Sequence, residues 1–343
     1  MLMRHDGRFQ EIDVLRGLAA IVVVLSHYVS YCSRYLGYGQ INLEHYGYYA
    51  VELFFMISGF VIYFTLEKCH SWRDFAFSRM TRLYPTYWTS LTLMVVAEMT
   101  IFHGRMSPSS GIDIWPAGYV ANMTMLQEFF GFTNFDNVFW SLTVELAFYI
   151  LMAVLFSLRW LGRIEVVAIC LLGLACLWPA SGDEPGFGIT GIVTRFLILP
   201  YLPFFVGGIM FYRLASGGFS ELRVAVLIAA LGVEWWLHGP LNLCVAVAIF
   251  VVFGLAVGGY LRGLVTPPTL WLGAISYPLY LSHRNLGYST MLKLHEAGIP
   301  TLLILLMTIA GALTLAAALS YLVERPALRA LRQWYRARLA AVA

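Results

Sequence analysis

Ten stretches of about 20 mostly apolar residues follow one another along this 343-residue chain, at 13–32, 47–66, 83–103, 138–158, 164–180, 192–213, 222–238, 241–261, 268–291 and 299–323. Each is long enough to cross the hydrocarbon core of a bilayer as a helix. The expected fold is therefore all-α, a polytopic membrane bundle of about ten transmembrane helices. The segment 117–130 is too broken and polar to span and reads as part of an outer loop. The first stretch reads as a retained span and not as a cleaved signal peptide. Asp13 and Arg16 interrupt its front, and no small-residue cleavage motif follows it.

Composition agrees. Apolar and aromatic residues make up 60% of the chain and charged residues 12%, against about 25% charged in a soluble domain. That deficit excludes a nucleic-acid binder, a disordered protein and an ordinary cytosolic enzyme. The net charge of +3 is too small to suggest an anionic polymer as partner, so the position of the basic residues carries the information. With the N-terminus taken as inside, 16 of the 22 Lys and Arg fall in inner segments. Only Arg34, Arg105 and Lys293 fall in outer loops, and Arg16, Arg195 and Arg284 lie within spans. The positive-inside rule then places both termini in the cytoplasm. No half of the chain repeats in the other, which weakens a transporter built from inverted repeats. Residues 1–343 read as a single membrane domain with no appended soluble domain, and the tail after 323 as a short basic helix or fringe. The five cysteines (Cys32, Cys69, Cys170, Cys176 and Cys244) show no C-x-x-C pair. Neither a zinc site nor a disulfide framework is expected, and each thiol reads as a small buried apolar residue.

Ionisable groups inside spans are costly and are functional candidates by default. Arg16 and His27 share the first span, eleven residues apart. At 100° per residue this is three turns plus about 20°, so both project from one helix face, about 16 Å apart along the axis. Counted from the span ends, Glu52 and Glu145 fall about 8 and 10 Å below the outer surface. Glu98 and His283 arrive within roughly 10 Å of that surface from the inner side. Arg195 lies shallow as well, and Arg284 follows His283. Such a layer reads as a reaction chamber if its groups face one cavity. Bland readings stand beside it: a lone membrane histidine is often a satisfied interhelical bond, and a lone arginine snorkels to headgroups.

Six motifs now form a pattern. The chain resembles the acyltransferase 3 family of integral-membrane O-acyltransferases, which modify bacterial surface and secreted glycans, from about residue 8 to 335. Arg16-x10-His27 within EIDVLRGLAAIVVVLSH is similar to the family's first helix, VELFFMISGFVI (51–62) to its second, and RMTRLYP (79–85) to its cytoplasmic-loop signature. WSLTVELAFY (140–149) resembles the motif carrying its fourth-helix glutamate. GAISYPLYLSH (273–283) and YLVERPALRALR (321–332) resemble its late signatures. The resemblance implies about ten core helices in the bacterial cytoplasmic membrane. It also implies an acyl-CoA co-substrate, most simply acetyl-CoA, no permanently bound cofactor and no metal, and transfer to a hydroxyl, usually on a carbohydrate.

Acyl transfer from a thioester to a hydroxyl needs a base, stabilisation of the developing oxyanion and a grip on the donor. His27 is the expected base, since a neutral imidazole accepts a proton. Glu145 either holds that imidazole in the useful tautomer, as a carboxylate does in hydrolytic triads, or accepts the hydroxyl proton itself. Arg16 offers a planar fork suited to phosphate, or else pairs with Asp13 or with headgroups. Arg79 and Arg82, placed on the inner loop beside Tyr84, suit the phosphates or adenine of CoA, although topology alone also accounts for them. Glu52, Ser58, Trp140, Tyr277 and His283 are the expected acceptor-side residues. Ser58-Gly59 reads equally as a small-residue contact, Tyr277 as a packing aromatic and Trp140 as part of an interfacial belt. His283 either orients the acceptor or donates to the oxyanion. Asn122-Met123-Thr124 fits a glycosylation sequon but carries little weight. The competing class is a non-enzymatic permease or proton-coupled exporter that uses the buried His and Glu groups as a relay.

Overall fold

A computed structural model of the chain describes residues 9–37, 39–102, 116–177 and 189–340. Every regular element among them is helical. In chain order these are α1 (Gln10–Tyr35), α2 (Glu44–Leu66), α3 (Trp72–Ala97), α4 (Ala117–Met123), α5 (Trp140–Ser157), α6 (Ile164–Cys176) and α7 (Ile189–Leu197). Then come α8 (Leu202–Gly217), α9 (Glu221–Val257), α10 (Pro267–Ser282), α11 (Arg284–Glu296), α12 (Thr301–Leu319) and α13 (Arg325–Ala340). The all-α expectation is met.

Six of the helical stretches among the described residues are long and apolar enough to cross a membrane: Gln10–Tyr35, Glu44–Leu66, Asn137–Ser157, Val193–Gly217, Glu221–Val257 and Thr301–Arg338. The apolar runs and the helices differ for local reasons. The run at 83–103 is entered by a helix that starts already at Trp72, because a polar first turn is as helical as an apolar one. Arg79 and Arg82, expected on a loop, therefore stand on α3. The runs 222–238 and 241–261 do form two helical halves, which α9 joins across Gly239, where the backbone leaves helical geometry at a φ of 84° before Pro240. The run 268–291 breaks at His283 into α10 and α11. The run 164–180 is helical only over the 13 residues of α6, and its residues 178–180 lie outside the described chain, as do Arg4, Arg8 and Arg105. Within 117–130, read as loop, α4 forms a short helix.

The chain divides into two compact units. One takes the described part of Met1–Ala19, together with Val51–Ala76 and Val144–Gly273. Its core is aromatic: Phe205 stacks on Phe55 and on Phe148, with ring centroids 4.9 and 4.1 Å apart. In lipid, helices gain nothing by burying apolar area, and close backbone approach takes over. Gly59 on α2 lies against the Phe205 carbonyl, and Gly208 on α8 against the Met56 carbonyl, so that a methyl at either would meet backbone. Glu165 at the start of α6 accepts from Arg213 Nη2 and Arg223 Nε, both at 3.0 Å.

The second unit takes Ala20–Ala50, Phe77–Thr143 and Ala274–Ala343 as far as described. Here α3 clamps the loop that follows it. Tyr84, Tyr87 and Trp88, spaced to share a helix face, donate to the carbonyls of Thr124 (2.8 Å), Asn122 (2.7 Å) and Met123 (2.9 Å) at the end of α4. Asn122 is fully buried, its side chain donating to Gly118 and Thr133 and accepting from the Phe135 amide, so the sequon reading has no accessible amide. Pro278 in α10 lacks the N–H that would bond to Ala274, and Ser320 Oγ reaches that freed carbonyl at 3.5 Å. The thiol reading needs correction. Cys32 is buried, but Cys170, Cys176 and Cys244 are exposed, because the face of a membrane helix need not be polar.

Candidate active site

Within the second unit, α1 and the junction of α10 with α11 bring two imidazoles together. α1 is unbroken from Gln10 to Tyr35, so Arg16 and His27 do stand on one helix. His27 faces His283 with ring centroids 5.3 Å apart. Its Nδ1 lies 3.2 Å from the Tyr288 hydroxyl, which also lies 3.4 Å from the His27 carbonyl oxygen. Among the described residues no hydrogen-bond partner reaches His27 Nε2.

His283 stands at the junction of α10 and α11, its amide still bonded to the Leu279 carbonyl at 3.2 Å. Its Nδ1 folds back on the carbonyls of Leu279 (3.1 Å) and Tyr280 (2.9 Å), acceptors that a continuing helix shares with its next turn. The His283 carbonyl in turn accepts from Tyr28 at 2.7 Å. Gly287 sits against the Tyr28 ring, with no room for a methyl. A carbonyl cannot donate, so His283 Nδ1 carries the proton. In the neutral ring Nε2 then bears the lone pair, and this atom is buried without a partner. His283 is thus an acceptor of hydrogen bonds when neutral, which removes the option that the neutral ring donates to an oxyanion. Thr86 Oγ1, Ser90 Oγ and Ser289 Oγ in this unit are likewise buried without partners. Buried polar atoms call for water or a polar ligand.

Asp136, which no sequence argument singled out, organises the surroundings. It has no exposed surface. It accepts the amides of Val138 on Oδ1 (3.2 Å) and Asn285 on Oδ2 (3.0 Å), and pairs with Arg284 Nη1 at 3.5 Å. Arg284 lies over the Tyr288 ring, 5.1 Å from its centroid. The loop holding Asp136 is itself set by Asn122, through Phe135. The missing signal lay in pairing at long range: Asp136 and Asn285 are 149 residues apart.

Three other expected residues of this unit are engaged elsewhere. Trp140 stacks on Tyr48 at 5.8 Å. Tyr277 donates to the Leu83 carbonyl at 2.9 Å. Tyr84 donates to Thr124 as described. Arg79 is nearly buried, with Nη2 3.1 Å from Ser78 Oγ, and Arg82 is half-buried on the same helix.

In the first unit Glu145 accepts on Oε1 from Ser58 at 2.5 Å and from Tyr149 at 2.6 Å. Arg16 pairs with Asp13 at 2.9 Å and donates to the Gly273 carbonyl at 3.0 Å. Glu52 is buried on α2. On the far part of α9, Glu234 is buried and lies 2.9 Å from His238 Nδ1.

A helical chain with helices of membrane-spanning length and two facing histidines has a counterpart among known families. Residues 9–323 match the family described as an acyltransferase domain, of the acyltransferase 3 type. The chain therefore belongs to the acyltransferase 3 family and is a membrane acyltransferase by class. Among its relatives, Nodulation protein 10 of Rhizobium leguminosarum bv. viciae is 26% identical over 310 residues, covering 81% of this chain and 82% of that protein. Acyltransferase MdmB of Streptomyces mycarofaciens is 25% identical over 367 residues, covering 94% and 92%. No solved structure matches the chain.

Proposed function

We propose that the protein is an O-acyltransferase. It moves an acyl group, most simply acetyl, from acyl-CoA at the cytoplasmic side to a hydroxyl of an extracytoplasmic or lipid-linked glycan in the bacterial cytoplasmic membrane. The observation that carries this reading is His27: an imidazole in an acyltransferase family chain, held at Nδ1 and at the same time open at Nε2. Such an atom suits a general base.

In the proposed step His27 Nε2 takes the hydroxyl proton as the acceptor oxygen bonds to the thioester carbon. The C–S bond then breaks, and the imidazolium returns its proton to the departing CoA sulfur. No acyl-enzyme is needed. His283 Nε2, a buried acceptor without a partner, is proposed to hold a second donor group of the acceptor molecule. Glu145 is kept as the second catalytic group. Arg16, Arg79, Arg82 and Tyr84 are assigned to the donor, and Glu52, Ser58, Trp140 and Tyr277 to the acceptor.

The test compares cells making the protein with cells making His27→Ala at equal protein level, by mass spectrometry of surface and secreted glycans. An acyl group present with the former and absent with the latter is expected. The same acylation with His27→Ala refutes the assigned base. No acylation difference between protein-making and protein-lacking cells, together with no acyl-CoA turnover by purified protein, refutes the glycan acyltransferase reading.

A further inference from the structure

The Tyr288 hydroxyl, to which the Arg284 side chain also hydrogen-bonds, makes two contacts with His27, and one arrangement of protons satisfies both. The His27 carbonyl can only accept, so the longer, 3.4 Å contact is a hydrogen bond only when the phenolic proton points at it. The phenol then has none left for Nδ1, and the 3.2 Å contact is favourable only if Nδ1 carries a proton and donates to the phenolic oxygen. That tautomer leaves the lone pair on Nε2. In the opposite arrangement the phenol donates to Nδ1 and Nε2 bears the proton. The carbonyl contact is then lost, and the imidazole has no lone pair to offer a hydroxyl.

We infer that Tyr288 is the positioning residue of this site, holding His27 in the Nδ1–H tautomer so that Nε2 faces the reaction as a base. The inference rests on the proposed acyl transfer, and it adds a residue and a role that the family resemblance does not supply. In hydrolytic triads a carboxylate does this work; here a neutral phenol does it.

The phenol is held in place from several directions. Tyr31, one turn beyond His27 on α1, stacks on the Tyr288 ring with centroids 4.2 Å apart and planes 18° from parallel. Arg284 lies over the ring at 5.1 Å and is tied to Asp136. The Asp136 carboxylate also keeps the arginine charge compensated at the moment His27 becomes imidazolium. The hydrogen-bond relay runs from acceptor hydroxyl to Nε2, and from Nδ1–H through the Tyr288 oxygen to the His27 carbonyl. Only the first proton moves.

The experiment uses full-length protein in detergent or nanodiscs, with Tyr288→Phe as the test and Thr290→Ala as the control. Thr290 lies on the same helix, and its hydroxyl returns to the Leu286 carbonyl at 2.7 Å. Phe keeps the ring and its stacking, so Tyr288→Phe should melt close to the parent. Acyl-CoA turnover should show kcat lowered about tenfold or more, with KM for acyl-CoA unchanged. This is a smaller loss than the ~10²–10⁴-fold expected on removing a general base. A second readout is independent of turnover: the 15N spectrum of labelled histidine, with His27 assigned by difference from His27→Gln. The neutral His27 of the parent should show a protonated Nδ1 and a bare Nε2, and Tyr288→Phe should shift that balance towards the other tautomer. A parent protein with Nε2–H, or a Tyr288→Phe variant with unchanged kcat and unchanged tautomer, overturns the inference. A parent that turns over no acyl-CoA while showing the expected spectrum overturns the functional proposal instead and leaves the tautomer assignment standing.

Discussion

Replacing Asp136 with Asn should cost about 3–5 kcal/mol of stability and most of the transfer activity. The carboxylate has no exposed surface. Backbone amides approach both its oxygens, at 3.0 and 3.2 Å, and Arg284 approaches Oδ1 at 3.5 Å. An asparagine keeps one oxygen. Whichever way its amide is turned, one backbone N–H then meets an NH₂ group, and that lost bond to a charged acceptor costs about 1.5–3 kcal/mol. The substitution also leaves a buried guanidinium without its counter-charge, which brings the sum to the range given for breaking a buried pair. Tryptophan fluorescence during unfolding in mixed micelles measures the loss for Asp136→Asn, Arg284→Gln and the double variant. Arg284→Gln alone should cost less, because Asp136 retains its two amide donors. If the ion pair carries the effect, the double variant is more stable than the sum of the singles by about 1 kcal/mol or more. Additive losses, or an Asp136→Asn cost within about 0.5 kcal/mol of zero, would refute the reasoning.

Two further predictions concern the other unit. Glu145→Gln retains an Oε1 that can accept from Ser58 and Tyr149, so melting should hardly change. If the carboxylate is catalytic, turnover should nevertheless drop ~10²-fold or more, and near-parental turnover would remove Glu145 from the mechanism. Gly208→Ala puts a methyl against the Met56 carbonyl and should cost about 1–3 kcal/mol in the same unfolding assay. A neutral result would mean that α2 and α8 separate without penalty.

Much of the architecture was legible from one-dimensional pattern, because lipid imposes its demand residue by residue. A run of apolar side chains must be helical to cross a bilayer, and α1, α2, α5, α9 and α12 follow their runs, while the run 192–213 is divided between α7 and α8. The differences arise where the helix is not set by hydropathy. α3 begins at Trp72 through polar turns that no apolar window registers. α10 and α11 part next to His283, where the Asn285 amide turns to the Asp136 carboxylate, an event of side-chain geometry and not of composition.

The candidate site divides along the same line. Arg16 and His27 are eleven residues apart, and local periodicity was enough to expect them on one helix, which α1 is. The motif order was enough to name the family. Nothing local, however, could pair His27 with Tyr288 across 261 positions, or aim Asp136 at Arg284 from a loop with no periodicity of its own. Proton positions depend on which groups meet, and which groups meet depends on how distant helices pack. Span length and residue type are properties of a chain segment, and were readable as such. The tautomer of a histidine and the partner of a buried carboxylate are properties of a contact, and a contact exists only after folding.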